Sequence, residues 1–179
     1  MKVMAISGKA QHGKDTTANM LKKLMEQKGK TVLIFHYADL LKHICRSYFD
    51  WDGKKGDAGR RILQYVGTDV IRAKQPDYWA DFATGFLRLF PDEWDYVLIP
   101  DCRFPNEVDC LGQAGFDMMH VRIVRPGFKS PLSPEQQMHP SETALDHTVP
   151  DHWVYNDGTL GDLENTIAAW IRDCAFFQD

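Results

Sequence analysis

Residues Gly8 to Thr17 read GKAQHGKDTT and follow the apolar run Val3-Met4-Ala5-Ile6. A short strand passes into a glycine turn, and the turn passes into a helix that begins near Gly13-Lys14. Gly8 and Gly13 frame four residues and Lys14 follows at once, the G-x-x-x-x-G-K-[ST] spacing of a phosphate-binding loop. In such a loop the backbone N–H groups turn inward onto phosphate oxygens. The free N–H groups and the positive dipole end of the next helix strengthen the same field. Lys14 adds a point charge for the β- and γ-phosphates. One position departs from the pattern. Asp15 stands where Ser or Thr would offer a hydroxyl to Mg²⁺, and Thr16 comes next. A carboxylate can hold Mg²⁺ directly or through water, so the change concerns metal ligation and leaves phosphate binding intact. The plainer alternative is a glycine turn that only caps a helix. The preceding strand weighs against it. So does the amphipathic helix expected over Asp15–Lys28, with Ala18, Leu21, Leu24 and Met25 on one face and Gly29 as a left-handed stop.

The 179 residues fit one domain, which at this length buries roughly 70% of the surface of its unfolded chain. A net charge of −4 sets aside general binding to a nucleic-acid polymer. No apolar run approaches the ~20 residues of a membrane span, and the N-terminus reads as a strand, not a signal peptide. Cys45, Cys102, Cys110 and Cys174 form neither a C-x-x-C pair nor a zinc spacing. They are read as reduced thiols of a cytoplasmic protein, with Cys102 a packing residue beside the site.

Further along, strands and helices alternate, the pattern of a parallel sheet covered by helices. Strands are expected at Lys2–Ser7, Thr31–His36, Tyr96–Pro100, Met118–Val124 and His152–Tyr155. Helices are expected at Leu40–Tyr48, Gly59–Val66 (interrupted at Gly67-Thr68, then resuming to Pro76), Tyr78–Phe90, Asn106–Gln113 and Leu160–Phe176. Asp50–Gly56 is a polar turn. In the helix at 78–90, Trp79, Phe82, Ala83, Phe86, Leu87 and Phe90 fall on one stripe, read as core, and the same helix offers a homodimer face. Arg125–His139, with Pro140, holds four of the nine prolines and reads as a mobile loop. The fold expected is α/β: a three-layer α/β/α P-loop NTPase fold with a five-stranded parallel sheet, like the nucleoside monophosphate kinases. Ligands in such sheets bind at the carboxyl ends of the strands. There lie Gly8–Thr16, His36–Asp39, Asp101–Arg103, Arg122–Arg125 and Asn156–Gly158.

The chain is short for a motor and has no N-K-x-D sequence of guanine-specific GTPases. Lys42, Arg60, Arg61, Arg72, Arg103, Arg122 and Arg125 place positive charge where a second phosphorylated substrate would reach. Phosphoryl transfer asks the protein chiefly for positioning and charge neutralisation, so a small-molecule kinase is the best reading. Two alternatives stay open: a P-loop kinase for another phosphorylated small molecule, of the dephospho-coenzyme A or phosphomevalonate type, and a non-catalytic nucleotide-binding protein.

The segments GKAQHGKDTTA, HYADLLK, GRRILQYVGTDVIR, DYWADF, IPDCRFPNE, HPSE and NDGTLGDL occur in that order. Together they resemble the bacteriophage-type deoxynucleoside monophosphate kinases, over nearly the whole chain. The resemblance implies transfer of the ATP γ-phosphate to a deoxynucleoside monophosphate, with Mg²⁺. It implies an acceptor-binding insertion over about 40–92 and a lid over about 125–142. Gly8, Lys9, Ala10, Gln11, His12, Gly13, Lys14, Asp15 and Thr16 would hold the ATP phosphates, with Asp15 or Thr16 near Mg²⁺ or the α-phosphate. Asn156 and Gly158 would lie beside adenine, in a turn that also caps the last helix through Asp157 or Thr159. Arg60, Arg61, Gln64, Thr68 and Arg72 would bind the acceptor, and Lys42 is a further phosphate candidate. Asp39 would hold metal waters or orient the acceptor, or cap the helix from Leu40. Asp101 ends an apolar strand as a metal-side aspartate does; Arg103 would meet the acceptor phosphate, or pair with Asp101. Glu107 reads as a helix surface or cap residue. Arg125 would carry the lid's charge. His139, Ser141 and Glu142 match the family's H-x-S-E string.

Overall fold

The computed structural model describes residues 1–54 and 56–178; Lys55, part of the expected polar turn, lies outside the described residues. Strands β1 (Lys2–Ser7), β2 (Val32–Ile34), β3 (Tyr96–Ile99), β4 (Asp117–Val124) and β5 (His152–Tyr155) form one parallel sheet in the order β2-β3-β1-β4-β5. The helices are α1 (Lys14–Glu26), α2 (Tyr37–Tyr48), α3 (Asp57–Gln64), α4 (Tyr78–Leu89), α5 (Pro105–Gln113), α6 (Pro134–Met138), α7 (Pro140–Thr143) and α8 (Leu160–Asp173).

Residues 3–6 of β1 and all of β3 are apolar without interruption because both their faces are covered. Met4 and Ile6 pack on one side against Ala18 and Leu21 of α1 and Leu163 and Ile167 of α8. Val3 and Ala5 pack on the other against Trp79, Ala83 and Leu87 of α4 and Leu111 of α5. Each fully buried Leu or Ile contributes roughly 1.5–3 kcal/mol, and the two cores make the three layers. From β1 the chain crosses by α1 to the edge strand β2, while β4 takes the opposite side of β1. Connections therefore leave in opposite directions around β1, and a crevice opens at the carboxyl ends of β1 and β3.

β2 covers only Val32–Ile34 of the expected Thr31–His36, α8 stops at Asp173 short of Phe176, and four further elements differ more. The helix placed at Leu40 starts at Tyr37, because Asp101 at the end of β3 accepts hydrogen bonds from the Tyr37 and Ala38 N–H groups. The helical block does not break at Gly67-Thr68. It widens into a π-helical segment, Tyr65–Arg72, continuous with α3. The wider turn leaves the Gly67 carbonyl free to accept from Trp79 Nε1 at 3.1 Å. The stripe on α4 is only partly core. Trp79, Ala83 and Leu87 are buried, while Phe82 and Phe90 are 38% and 42% exposed. Phe86 stacks between this outer face, Phe35 and Trp94. The loop at 125–139 carries α6, and α7 follows at once. A capping box starts α6, in which the Ser133 hydroxyl accepts from Gln136 N and the Gln136 side chain from Ser133 N. At the C-terminus Thr159 and Asp162 form the capping box of α8, and a 3₁₀ turn at Ala175–Phe177 returns Phe176 and Phe177 to the core. No helix among the described residues is long and apolar enough to cross a membrane.

Candidate active site

The loop after β1 is wound by three left-handed residues, Gly8 (φ 144°), Gln11 (φ 62°) and Gly13 (φ 100°). Gly8 must be glycine on steric grounds as well, since a Cβ there would stand 2.5 Å from the Ile123 carbonyl oxygen of β4. Gly13 is the N-cap residue of α1. Its α-carbon faces Asn156, whose Nδ2 donates to the His12 carbonyl at 3.0 Å. The Arg125 N–H donates to His12 Nδ1 at 3.2 Å, so the turns after β4 and β5 both hold the loop.

Lys14 curls back through this loop. Its Nζ donates to the carbonyls of Gly8 and Lys9, both at 2.9 Å, and the residue is only 6% exposed. Burial, aided by the charge of Arg103, pulls its pKa down to about 7. Phosphate oxygens against the ammonium would reverse that shift. Binding of ATP at about pH 8, where the ligand is already fully ionised, is therefore expected to take up protons. Calorimetry in buffers of different ionisation enthalpy reads this directly. Buffer-independent enthalpies, or uptake that persists in Lys14→Ala, would contradict it.

Asp15 opens α1 with its side chain 72% exposed, and Oδ1 stands 3.1 Å from His36 Nε2. That hydrogen bond holds the His36 pKa above its ordinary value. Asp39 pairs with Lys42 Nζ at 2.7 Å and lies 3.6 Å from His36 Nδ1. Asp101, not Asp39, caps α2. Burial raises the Asp101 pKa, against the pull of the Ala38 and Tyr37 amides and of the charges on His36 and Arg103. Of the two metal candidates, Asp15 fits Mg²⁺ better. Its carboxylate is open to solvent beside the phosphate loop, whereas both oxygens of Asp101 already accept backbone N–H groups.

A cleft of about 600 Å³ lies between this loop and the block α2, α3 and the π segment. Ala10, Gln11, Lys14, Asp15, Lys42, Arg60, Gln64, Thr68, Arg72, Asp101 and Arg103 line it. Of the residues expected to act in catalysis or to bind the acceptor, three do not. Arg61 is exposed outside the cleft, because one helical step from Arg60 turns it to the outer face. Asp39 pairs with the cleft-lining Lys42 but is itself exposed and outside the lining. Arg125 sets its guanidinium over the Phe128 ring, 4.7 Å from the centroid, on the far side of the phosphate loop near His12. Asn156 and Gly158 lie on that side too, beyond the cleft lining.

Two arginines are committed to structure. Arg72 lies over the Phe104 ring, 3.9 Å from the centroid. It donates to the Pro76 carbonyl and Asn106 Oδ1, each at 3.0 Å, and pairs with Glu107. Arg122 pairs with Asp146 at 2.8 Å and donates to the Leu145 carbonyl. Arg103 does not pair with Asp101. Its Nη1 donates to Glu142 Oε1 at 2.5 Å and to the Ser141 carbonyl at 3.2 Å. Glu107 is a cap but not a surface residue. At 3% exposure its Oε2 accepts the Arg103 and Phe104 N–H groups at 2.7 and 3.1 Å. Burial lifts its carboxyl to about 7 against the opposing charge of Arg72.

Sequence reading gave no role to Glu142, Asp146 or His36. Their hydrogen-bonding side-chain partners lie between 21 and 137 residues away in the chain (His36 to Asp15, Asp146 to Lys9), and no local pattern marks such pairings.

A family model described as deoxynucleotide monophosphate kinase matches residues 42–167. The chain belongs to the deoxynucleotide monophosphate kinase family. The matched span starts after the phosphate loop and takes in the helical block, Asp101–Glu107 and His139–Glu142. Deoxynucleotide monophosphate kinases of Enterobacteria phage T4 and Escherichia phage RB69 are 34% and 30% identical over 115 residues, 63% of this chain and 45% and 44% of theirs. The chain thus spans about half the length of these kinases. An APS kinase of Mycobacterium tuberculosis, solved with AMPPNP and APS, shares the fold at TM-score 0.56 and 14% identity, over 96% of this chain and 98% of its own.

Proposed function

We propose that the chain transfers the γ-phosphate of ATP to a deoxynucleoside monophosphate, giving ADP and the diphosphate. The observation that carries this reading is one cleft walled on one side by the phosphate loop and on the other by Arg60, Gln64 and Thr68, with Arg103 and Lys14 between. Its volume of about 600 Å³ suits a nucleotide-sized ligand beside the phosphates of a second. The acceptor's phosphate oxygen is already anionic and needs no general base. It forms a bond to the γ-phosphorus while the bond to the β–γ bridging oxygen breaks, and that electron pair leaves with ADP. The protein's task is to hold two polyanions in line and neutralise them. Lys14 meets the β- and γ-phosphates, Arg103 the transferring group and the acceptor phosphate. Arg60 forks onto the acceptor phosphate, and Gln64 and Thr68 face its nucleoside. Asp15 would hold Mg²⁺, directly or through water; bound there, the ion supplies further charge neutralisation on the phosphates.

On the same reading, residues about 40–92 form the acceptor insertion and about 125–142 a lid that excludes water during transfer. Arg125, stacked on Phe128 beside His12 and Asn156, serves the adenine side instead of the transferring phosphate. The four free cysteines suit a reducing cytoplasm. The exposed rings of Phe82 and Phe90 support a homodimer through α4.

The test is coupled ADP release with Mg-ATP against all deoxy- and ribonucleoside monophosphates, with a control lacking acceptor. Release that depends on one or more deoxynucleotides is expected. No acceptor-dependent release anywhere in the panel overturns the proposal.

A further inference from the structure

Glu142 sits in the one-turn helix α7, yet its side chain is only 8% exposed. Its two carboxylate oxygens face two different parts of the site. Oε1 accepts from Arg103 Nη1 at 2.5 Å, and Oε2 accepts from the backbone N–H of Ala10 in the phosphate loop at 3.1 Å. The backbone around it repeats the same link. The Glu142 carbonyl accepts from Lys9 Nζ at 2.6 Å, and the Ser141 carbonyl accepts from Arg103 Nη1 at 3.2 Å. A short segment after β4 therefore ties the loop that follows β1 to the arginine that follows β3. These elements have no covalent reason to keep a fixed spacing.

Two features make the link more than packing. First, Arg103 reaches the cleft on a flexible stem, and only Nη1 is held. Its Nε and Nη2 make no hydrogen bond to the described residues. An arginine held at one nitrogen presents the rest of its fork in a set direction, so less rotamer freedom is lost when a phosphate arrives. Second, the Glu142 carboxylate is a buried anion between the Arg103 guanidinium and the phosphate loop, where its charge offsets the repulsion between Arg103 and Lys14.

We propose that Glu142 is a positioning residue for phosphoryl transfer, holding Arg103 at a fixed distance from the phosphate loop through one bridging carboxylate. The inference rests on the kinase reading above and deepens it. Glu142 need not touch either substrate. It acts through Arg103, so its contribution depends on that arginine being present.

A double-mutant cycle separates this from a general structural role. Glu142→Gln, Arg103→Lys and the double variant are compared in steady-state transfer and in thermal melts. Glu142→Gln is expected to lower kcat about thirtyfold, with the KM for ATP within about threefold of the parent. In the Arg103→Lys background the same change is expected to cost less than about threefold, because a lysine carries no planar fork for the carboxylate to aim. Equal losses in the two backgrounds would overturn the proposal. So would tighter ATP binding with unchanged kcat, the signature of a carboxylate that merely occupies a phosphate position and is displaced. If Glu142→Gln does not fold, the cycle is run with Glu142→Asp, to which the same two criteria apply. Parent enzyme inactive towards every acceptor would overturn the kinase reading beneath. Parent enzyme active without coupling between the two residues would overturn only the role given to Glu142.

Discussion

Replacing Lys14 with alanine is expected to lower kcat for phosphoryl transfer about a thousandfold, roughly 4 kcal/mol of transition-state stabilisation, and to leave the thermal midpoint nearly unchanged. The asymmetry follows from what the ammonium touches. Its ammonium contacts the carbonyls of Gly8 and Lys9, within its own loop, beside the cleft that Lys14 itself lines. Folding therefore loses little. Transfer loses the one buried cation that the loop aims at the β- and γ-phosphates, in a site where a charge counts for more than it does in water. Lys14→Arg is expected to recover little, because a planar fork does not fit the space in which Nζ lies between two carbonyls. Steady-state kinetics beside a thermal melt check both halves. A loss below tenfold, or a loss explained by unfolding, would contradict the assignment of the loop.

The largest effect on stability is expected from Glu107→Ala, about 3–5 kcal/mol, or a fall of roughly 10 °C in the thermal midpoint. The carboxylate is buried and has three tasks. It caps α5 by accepting the Phe104 N–H, accepts the Arg103 N–H, and pairs with Arg72, which itself lies over Phe104. Alanine leaves the Arg72 charge buried beside its remaining partners, Pro76 and Asn106, and two backbone donors without acceptors. Removing both members of the ion pair as Arg72→Met with Glu107→Leu is expected to cost less than Glu107→Ala alone. Once no charge is stranded, apolar replacements restore much of the packing. Melts of the single and double variants decide this, and a double variant as unstable as the sum of its parts would refute it.

The contrast between these two residues shows where sequence reading holds. The shape of the phosphate loop is legible because it is local: the spacing of Gly8, Gly13 and Lys14 predicts the left-handed turns and the helix start that the structure shows. The central strands β1 and β3 are legible because burial on both faces demands apolar runs, at residues 3–6 and Tyr96–Ile99. Asp101 looks like a metal-side aspartate from its place at the end of such a run, but its oxygens cap a helix that begins 64 positions earlier in the chain. Glu107 reads as a surface or cap residue and Glu142 has no role legible in the sequence, since nothing near them in sequence shows that Arg72 and Arg103 will meet them. On α4 the period identifies the apolar face, yet it does not tell how far neighbours cover that face, so Phe82 and Phe90 emerge partly exposed. The helix α6 was within reach. Ser133 followed by Gln136 with Pro134 between is a local start signal, overshadowed by the prolines around it.

The central claim is that the cleft between the phosphate loop and the helical block moves a phosphoryl group from one nucleotide to another. ATP labelled in its γ-phosphate, incubated with Mg²⁺ and each deoxynucleoside monophosphate and then separated by chromatography, tests it most directly. Label in a deoxynucleoside diphosphate, absent with Lys14→Ala, is the result this structure predicts. Label recovered only as inorganic phosphate, or retained in ATP with every acceptor, would contradict it.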